Sequence, residues 1–330
     1  MSLKVYLAPM EGLADPPLRK VLCACGGYDW CFSEFIKTST AVISPKTLAR
    51  RVPELDHGGC TPDGTPCRVQ LLGDNPAILA QSALVVQKQG ALGLDLNFGC
   101  PSRFVHHSGS MLLREPALLR EIVDRVSDVL NDQILFSIKI RSGFADKREL
   151  CGIIEAIARP RVNEICVHCR TRRDLYKKEA LDWSVLSGLT TLAPGITFVA
   201  NGDITSRELA LECAHESGCS TLMVGRGAFM VPNLGKVIKG EEQPCGMAEI
   251  LNVAGRVMDE FCARGLSQKI VLDRSKQFLS YARRSGGPLP GLFREFCHCT
   301  DLKSARMILK RGLRGEFDHQ EHPQVPTCIS

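Results

Sequence analysis

The chain has 330 residues, of which 44% are hydrophobic, and a formal charge of +5 at pH 7. This is enough apolar material for a large core, and the length suits a barrel of about 250 residues with an appendage. No apolar run reaches the roughly 18 residues of a membrane span, and the N-terminus lacks the charged segment and apolar stretch of a secretory signal, so a cytoplasmic protein is expected.

The 16 cysteines read as reduced, mostly buried thiols in such a chain rather than as a disulfide framework. Cys166 and Cys169 have a metal-ligand spacing but lie on a predicted strand with no second pair to complete four ligands, so no metal is expected.

In chain order, Lys4 to Pro9 reads as a short strand. Pro16-Pro17 opens a helix that Gly26-Gly27 stops. Strand two is predicted over Trp30 to Phe35, a helix in the forties, strand three over Cys67 to Leu72, and a helix from Asn75 to Gly90. Strand four, Gly93 to Asn97, is followed by a helix over Glu115 to Leu130. Strand five covers Leu135 to Arg141, with a helix near Asp146 to Ala158, and strand six covers Glu164 to His168. Trp183 to Leu192 is predicted as one helix, Ile196 to Ala200 as strand seven, Ser206 to Ser217 as a helix and Thr221 to Val224 as strand eight. Eight short, near-continuous apolar strands alternating with helices argue for a parallel sheet covered by helices, and the count favours closure into a TIM (β/α)8 barrel. From about Met247 only helical periodicity remains, in four segments that read as a small bundle. The expected organisation is a barrel domain over 1–243, a helical domain over 244–314 and a flexible tail over 315–330.

In parallel α/β folds chemistry gathers at the C-terminal ends of the strands. Here those ends carry Ala8-Pro9-Met10, Gln70, Asn97 with Cys100, Lys139 and Arg141 two apart on one face, His168, Asn201-Gly202-Asp203 and Gly225-Arg226-Gly227. The last two groups follow strands seven and eight, where TIM barrels often bind phosphate with backbone N–H groups; two ordinary glycine turns would look the same. A lysine at Lys139 needs a partner, either an electron-rich ring of a phosphate-anchored cofactor or a carboxylate such as Asp95. Residues 256–315 hold 13 Lys and Arg against 5 Asp and Glu, a surplus that points to a polyanionic partner, although a solvated helical face would also carry it.

Taken together these residues resemble the tRNA-dihydrouridine synthases. The matching pieces are LAPMEG (7–12), VQLLG (69–73), DLNFGCP (95–101), SIKIRSG (137–143), VHCRT (167–171), VANGDI (199–204) and MVGRGA (223–228), in the family's order. RSKQFLSYARR (274–284) is similar to the C-type branch, which acts on uridine 16 of the tRNA D-loop. Two features depart from the family. Cys169 stands where glycine is usual, beside His168, and the loop from Cys100 to Leu112-Leu113 is two residues shorter.

The resemblance implies an FMN cofactor with NADPH as electron donor, and a TIM barrel followed by a helical tRNA-binding domain. FMN contacts would fall on Ala8, Pro9, Met10, Gln70, Lys139, His168, Asn201, Gly202, Asp203, Gly225 and Arg226. A hydride from flavin N5 would reach C6 of the uracil and Cys100 would protonate C5. Asn97 and Arg141 are the candidates for holding the base, and Arg274, Lys276, Arg283 and Arg284 for holding tRNA phosphates. A monomer with tRNA as its partner is expected. Two alternatives stay open: an FMN barrel acting on a small dihydropyrimidine, which leaves the basic block unexplained, and a non-catalytic tRNA-binding protein, which leaves the strand-end residues unexplained.

Overall fold

The computed structural model describes residues 3–102, 105 and 107–317. The residues divide into two compact units. The first comprises the described part of Met1–Ala228 with Asn233–Gln243, the second Phe229–Pro232 with the described part of Pro244–Ser330.

The first unit is built on nine parallel strands: β1 (Lys4–Leu7), β2 (Trp30–Phe32), β3 (Ile36–Lys37), β4 (Cys67–Leu72), β5 (Gly93–Phe98), β6 (Leu135–Arg141), β7 (Glu164–His168), β8 (Thr197–Asn201) and β9 (Thr221–Val224). The order β2-β1-β9-β8-β7-β6-β5-β4-β3, with β2 also paired to β4, closes a ring of eight positions, a TIM barrel. One position is shared by β2 and β3. Cys31 faces Cys67 in β2, whereas Ile36 faces Leu71 in β3, so the partner strand advances by four residues while this one advances by five. This is a β-bulge; the strand expected over Trp30 to Phe35 ends at Phe32, and β3 lies just beyond the expected range.

The strands are less uniformly apolar than the sequence pattern suggests. Arg68 and Gln70, Asp95 and Asn97, Ser137 and Lys139, and then His168 and Asn201 alternate with Val69, Leu71, Leu94, Leu96, Ile138, Val167 and Ala200, all of which are at most 1% exposed. With a period of two, the polar set shares the inward face and the aliphatic set the outward one. Each larger aliphatic side chain fully buried there contributes about 1.5–3 kcal/mol. The N-terminal end of the bore is filled by Arg68. Its guanidinium pairs with Glu164 at 2.6 Å and lies 4.5–5.1 Å from the ring centroids of Tyr6, Trp30 and Phe32. The remaining inward polar side chains, Gln70, Asn97, Lys139 and Asn201, stand further along the strands, towards the C-terminal rim.

The helices begin where side-chain caps allow. Asp15, Ser44, Asn75 and Ser206 each accept an N–H from the first turn of the helix that follows. The single helix expected over Trp183 to Leu192 is instead a 3-10 turn, Trp183–Leu186, and a one-turn helix, Leu189–Leu192. Gly188 between them has φ 81, which breaks the helical path.

The second unit contains helices Met247–Ala263, Gln268–Ala282, Leu289–Cys297 and Leu302–Leu313. Leu251, Val257, Phe278, Leu292, Phe296 and Ala305 form its core. Gly312 lets the last helix approach Leu251 and Leu292, whose side chains would collide with any Cβ placed there. Phe317 is 1% exposed and lies under the Arg311 guanidinium, so the fold continues past Gly315, where the sequence suggests a tail; residues 318–330 of that tail lie outside the described residues. No helix among the described residues is long and apolar enough to cross a membrane.

Candidate active site at the barrel rim

The deepest layer is a hydrogen-bond chain across β4, β5 and β6. Gln70 donates to Asp95 at 2.7 Å, Ser137 donates to the other Asp95 oxygen at 2.6 Å, and Asn97 donates to Gln70 at 2.9 Å. Asp95 is thus occupied by neutral donors and forms no ion pair with Lys139. Burial lifts its pKa to about 6, against the pull of the Ser137 and Gln70 hydrogen bonds.

Above it, Asn97 Oδ1 accepts the amides of Gly99 (3.0 Å) and Cys100 (2.9 Å). This fixes the turn that presents the thiol, and the Ser110 amide and hydroxyl secure the Cys100 carbonyl at 3.0 and 2.8 Å. Cys100 is half-buried against Phe35, Leu72 and Val105. Burial raises its thiol pKa above the ordinary value, the Glu11 charge adds to this, and the Ser102 amide, Arg141 and Lys139 oppose it. The group is therefore a protonated thiol at neutral pH. Of the loop beyond it, which the sequence reading expects to be short, Arg103, Phe104 and His106 lie outside the described residues.

Lys139 Nζ donates to Asn201 Oδ1 at 3.1 Å, and Asn201 Nδ2 donates to the Met223 carbonyl at 2.7 Å. His168, beside Asn201 in the ladder, is held neutral. Burial, then the charges of Arg141, Lys139, Arg170 and Arg226, keep its pKa well below the usual histidine range. Its Nδ1 is buried without a hydrogen-bond partner. Asp203 bridges Arg170 (2.5 Å) and Arg226 (2.6 Å) from a left-handed backbone, φ 46. Burial would raise its pKa, but the two guanidiniums outweigh that and lower it. Lys139 and Arg141 form no ion pair among the described residues, so the rim holds more cationic than anionic charge.

The remaining rim positions frame this charge. Ala8 donates its amide to Val224 at 2.8 Å and packs with Tyr6, Phe32, Cys166, Val199 and Met223, over which Met10 lies. Pro9, between them, is partly exposed. A Cβ on Gly225 would sit 3.4 Å from Met10 Sδ, and the Gly202 carbonyl accepts from Trp183 at 3.1 Å. Cys169 is fully buried, and burial raises its pKa; its amide is tied to the Asn201 carbonyl and its thiol to the Val167 carbonyl.

Arg141 has a different setting from the one its position suggests. Its Nε donates to the Gly99 carbonyl (3.0 Å) and its Nη1 to those of Thr171 (3.0 Å) and Leu175 (2.8 Å). It pins the Cys100 turn to the segment after β7. That segment delivers Tyr176, a rim residue that the sequence pattern does not single out. Tyr176 is 54% exposed, follows Leu175 at φ 52, stands edge-on to His168 at 6.0 Å and lies 5.1 Å from both the Arg141 and Arg226 guanidiniums. Its only sequence signal is an isolated tyrosine in a polar loop.

The four basic residues singled out in the second unit separate into two kinds. Lys276 donates to the Cys299 carbonyl at 2.7 Å, and Arg274 donates to Gln277 at 2.7 Å and lies over Phe261. Arg283 and Arg284 are exposed, over Phe293 and Tyr281.

A closed parallel barrel with its titratable residues gathered at the C-terminal rim is the architecture of the TIM-barrel enzymes. Within that class the chain belongs to the dihydrouridine synthase family, described as "Dihydrouridine synthase (Dus)", whose profile matches residues 6–286. Among its relatives, a tRNA-dihydrouridine(16) synthase of Vibrio cholerae is 34% identical over 91% of this chain and 93% of the relative. Another of that name, from Haemophilus influenzae, is 36% identical over 93% and 99%. Among solved structures, histamine dehydrogenase from Rhizobium sp. 4-9 shares the fold with a TM-score of 0.55 at 13% identity. The likeness covers 78% of this chain and about half of the other, 49%.

Proposed function

We propose that the protein reduces a uridine of tRNA, at position 16 of the D-loop, to 5,6-dihydrouridine, with FMN as cofactor and NADPH as electron donor. The observation that carries this reading is a buried His168 Nδ1 without a hydrogen-bond partner among the charges of Arg141, Lys139, Arg170 and Arg226, on a rim that also carries a protonated thiol. An anionic, phosphate-bearing ring system with hydrogen-bonding edges fits that setting. Its phosphate would sit on the backbone at Gly202-Asp203 and Gly225-Arg226, with Arg226 for charge, and its ring edge on Gln70, Lys139 and His168, beside Ala8, Pro9 and Met10. When bound and reduced, the flavin supplies the hydride for C6 of the uracil.

This chain's own residues do the rest. Negative charge develops on the uracil oxygen at C4, and donors aimed there stabilise it. Asn97, whose Oδ1 holds the Gly99 and Cys100 amides, and Arg141, whose Nε holds the Gly99 carbonyl, are assigned to that oxygen. The Cys100 thiol protonates C5, and its raised pKa returns a proton to it from solvent afterwards. Two electrons and one proton from NADPH, with one proton from solvent, balance the reduction. A uridine folded within tRNA must be turned out into this rim. Arg283 and Arg284, exposed on the helical unit, are assigned to the tRNA backbone, whereas Arg274 and Lys276 are engaged within that unit.

The test is position-resolved mapping of dihydrouridine in tRNA from a strain lacking the gene, before and after incubation with the protein and NADPH. New dihydrouridine at position 16 is the expected result. Its appearance elsewhere overturns the position, and its absence with protein that binds FMN and is reduced by NADPH overturns the substrate.

A further inference from the structure

Beside the rim, outside the bore, a cleft of about 640 Å³ is bordered by Arg114, Phe144, Glu149 and Arg173. No step of the proposed reaction uses it. It is assembled from the segments that follow β5, β6 and β7: the Arg172 and Arg173 amides donate to the Gly143 and Phe144 carbonyls at 2.9 and 3.0 Å. Phe144 stands three residues beyond Arg141, so the end of β6 carries one side chain to the rim and the segment that follows it carries another to the cleft.

Its chemistry is cationic and aromatic. The guanidiniums of Arg114 and Arg172 lie 5.1 and 5.2 Å from the centre of the Phe144 ring. Arg172 Nε is buried with no hydrogen-bond partner. Arg114 and Arg173 are exposed and form no ion pair among the described residues. The bordering carboxylate, Glu149, is already taken up by the amides of Phe144 (2.6 Å) and Ala145 (3.2 Å). The N-terminal ends of helices Pro116–Ser127 and Leu150–Ile157 also line the cleft, adding partial positive charge. Three arginines, two helix N-termini and one spent carboxylate call for an anion, and the volume suits a nucleotide-sized group. A guanidinium resting on an aromatic ring is also a platform on which an unpaired base stacks.

We propose that this cleft holds a nucleotide of the same tRNA that flanks the reacting uridine, its phosphate on Arg114 and Arg173 and its base over the Arg114–Phe144 stack. This rests on the tRNA substrate proposed above. It gives the barrel unit an RNA-binding surface of its own, independent of the basic helices.

The test uses the full chain with bound flavin and an unmodified tRNA transcript. Affinity is measured over a range of salt concentrations for the wild type, for Arg114→Ala with Arg173→Ala, and for Arg114→Lys with Arg173→Lys. Each phosphate no longer neutralised lowers the slope of log affinity against log salt by about 0.7–0.9, so the alanine pair, which gives up one phosphate, should bind about fivefold or more weakly, with a slope lower by about 0.7–0.9. The lysine pair should keep the slope. Flavin content and NADPH oxidation should not change, because neither arginine touches the rim site. An alanine pair with wild-type affinity and slope overturns the cleft alone. A wild type that does not bind the transcript overturns the cleft together with the proposed substrate.

Discussion

A thiol that burial keeps protonated can donate a proton without first acquiring one, and Cys100 has that property at the rim. Under the proposed reaction, Cys100→Ala should lower uridine reduction by about 10²–10⁴-fold, while FMN binding and NADPH oxidation remain; single-turnover assays on unmodified tRNA read the first and flavin bleaching the second. His168 makes a separate prediction about stability. Its depressed pKa means that the unfolded chain binds the proton first as pH falls below about 6.5, so its contribution is present above that value and lost below it. Asp95 works in the opposite sense: raised from 3.8 to about 6, it favours the fold at low pH and loses that contribution as pH rises through about 6. The two partly cancel in the wild type. His168→Asn should therefore remove up to about 1.4 kcal/mol per pH unit of acid destabilisation below pH 6.5, read by urea denaturation of the flavin-free protein at several pH values. Among the candidate residues, those spaced by two along a strand are legible in the sequence, since period two alone puts Lys139 on the inward face. Tyr176 is not, because it is placed by an irregular segment and a left-handed Leu175 that follow no periodicity.

At the scale of elements, the loops after β8 and β9 have one function in the proposed site, close approach of backbone to a phosphate. A methyl group at Gly225 meets Met10 Sδ at 3.4 Å and Ala8 Cβ at 3.8 Å, ordinary contacts without backbone strain. Gly225→Ala should thus melt at the wild-type temperature, yet lose about 1.5–3 kcal/mol of charged hydrogen bonding to the phosphate, or roughly 10- to 100-fold in FMN affinity by fluorescence titration. Gly202→Ala should damage both, since φ is 143 and the new carbon falls 2.6 Å from Leu181. The run from strand three to strand eight is legible nearly residue for residue, because short β-rich runs alternating with capped helices specify a parallel barrel locally. Legibility fails where a single residue changes the path: the extra residue between β2 and β3, and Gly188, which divides the expected helix. Neither carries a compositional signal strong enough to outweigh the flanking periodicity.

For the whole molecule, the surplus of positive charge over 256–315 is visible in the sequence, but not which side chains face solvent. Lys276 is spent on the Cys299 carbonyl, so Lys276→Ala should cost about 1 kcal/mol of stability, read as a shift of the urea midpoint. Arg283→Glu with Arg284→Glu should leave the melting temperature unchanged and weaken tRNA binding, with a shallower salt dependence in filter-binding assays. The ring of eight positions has a further consequence at its bulge. In the pairing of β2 and β3 with β4, the buried Gln70 amide is held by the Ser33 hydroxyl at 3.0 Å rather than by a backbone carbonyl. The barrel is therefore stapled at that point by a side chain, and a side-chain acceptor lets go of its donor by turning about one bond, without moving either strand. In deuterated solvent the Gln70 amide should exchange ahead of its neighbours in β4 by a local opening. Ser33→Ala should extend that opening by leaving the amide without its acceptor, so that the wall of the bore beneath the candidate flavin site loosens before the rest of the barrel does.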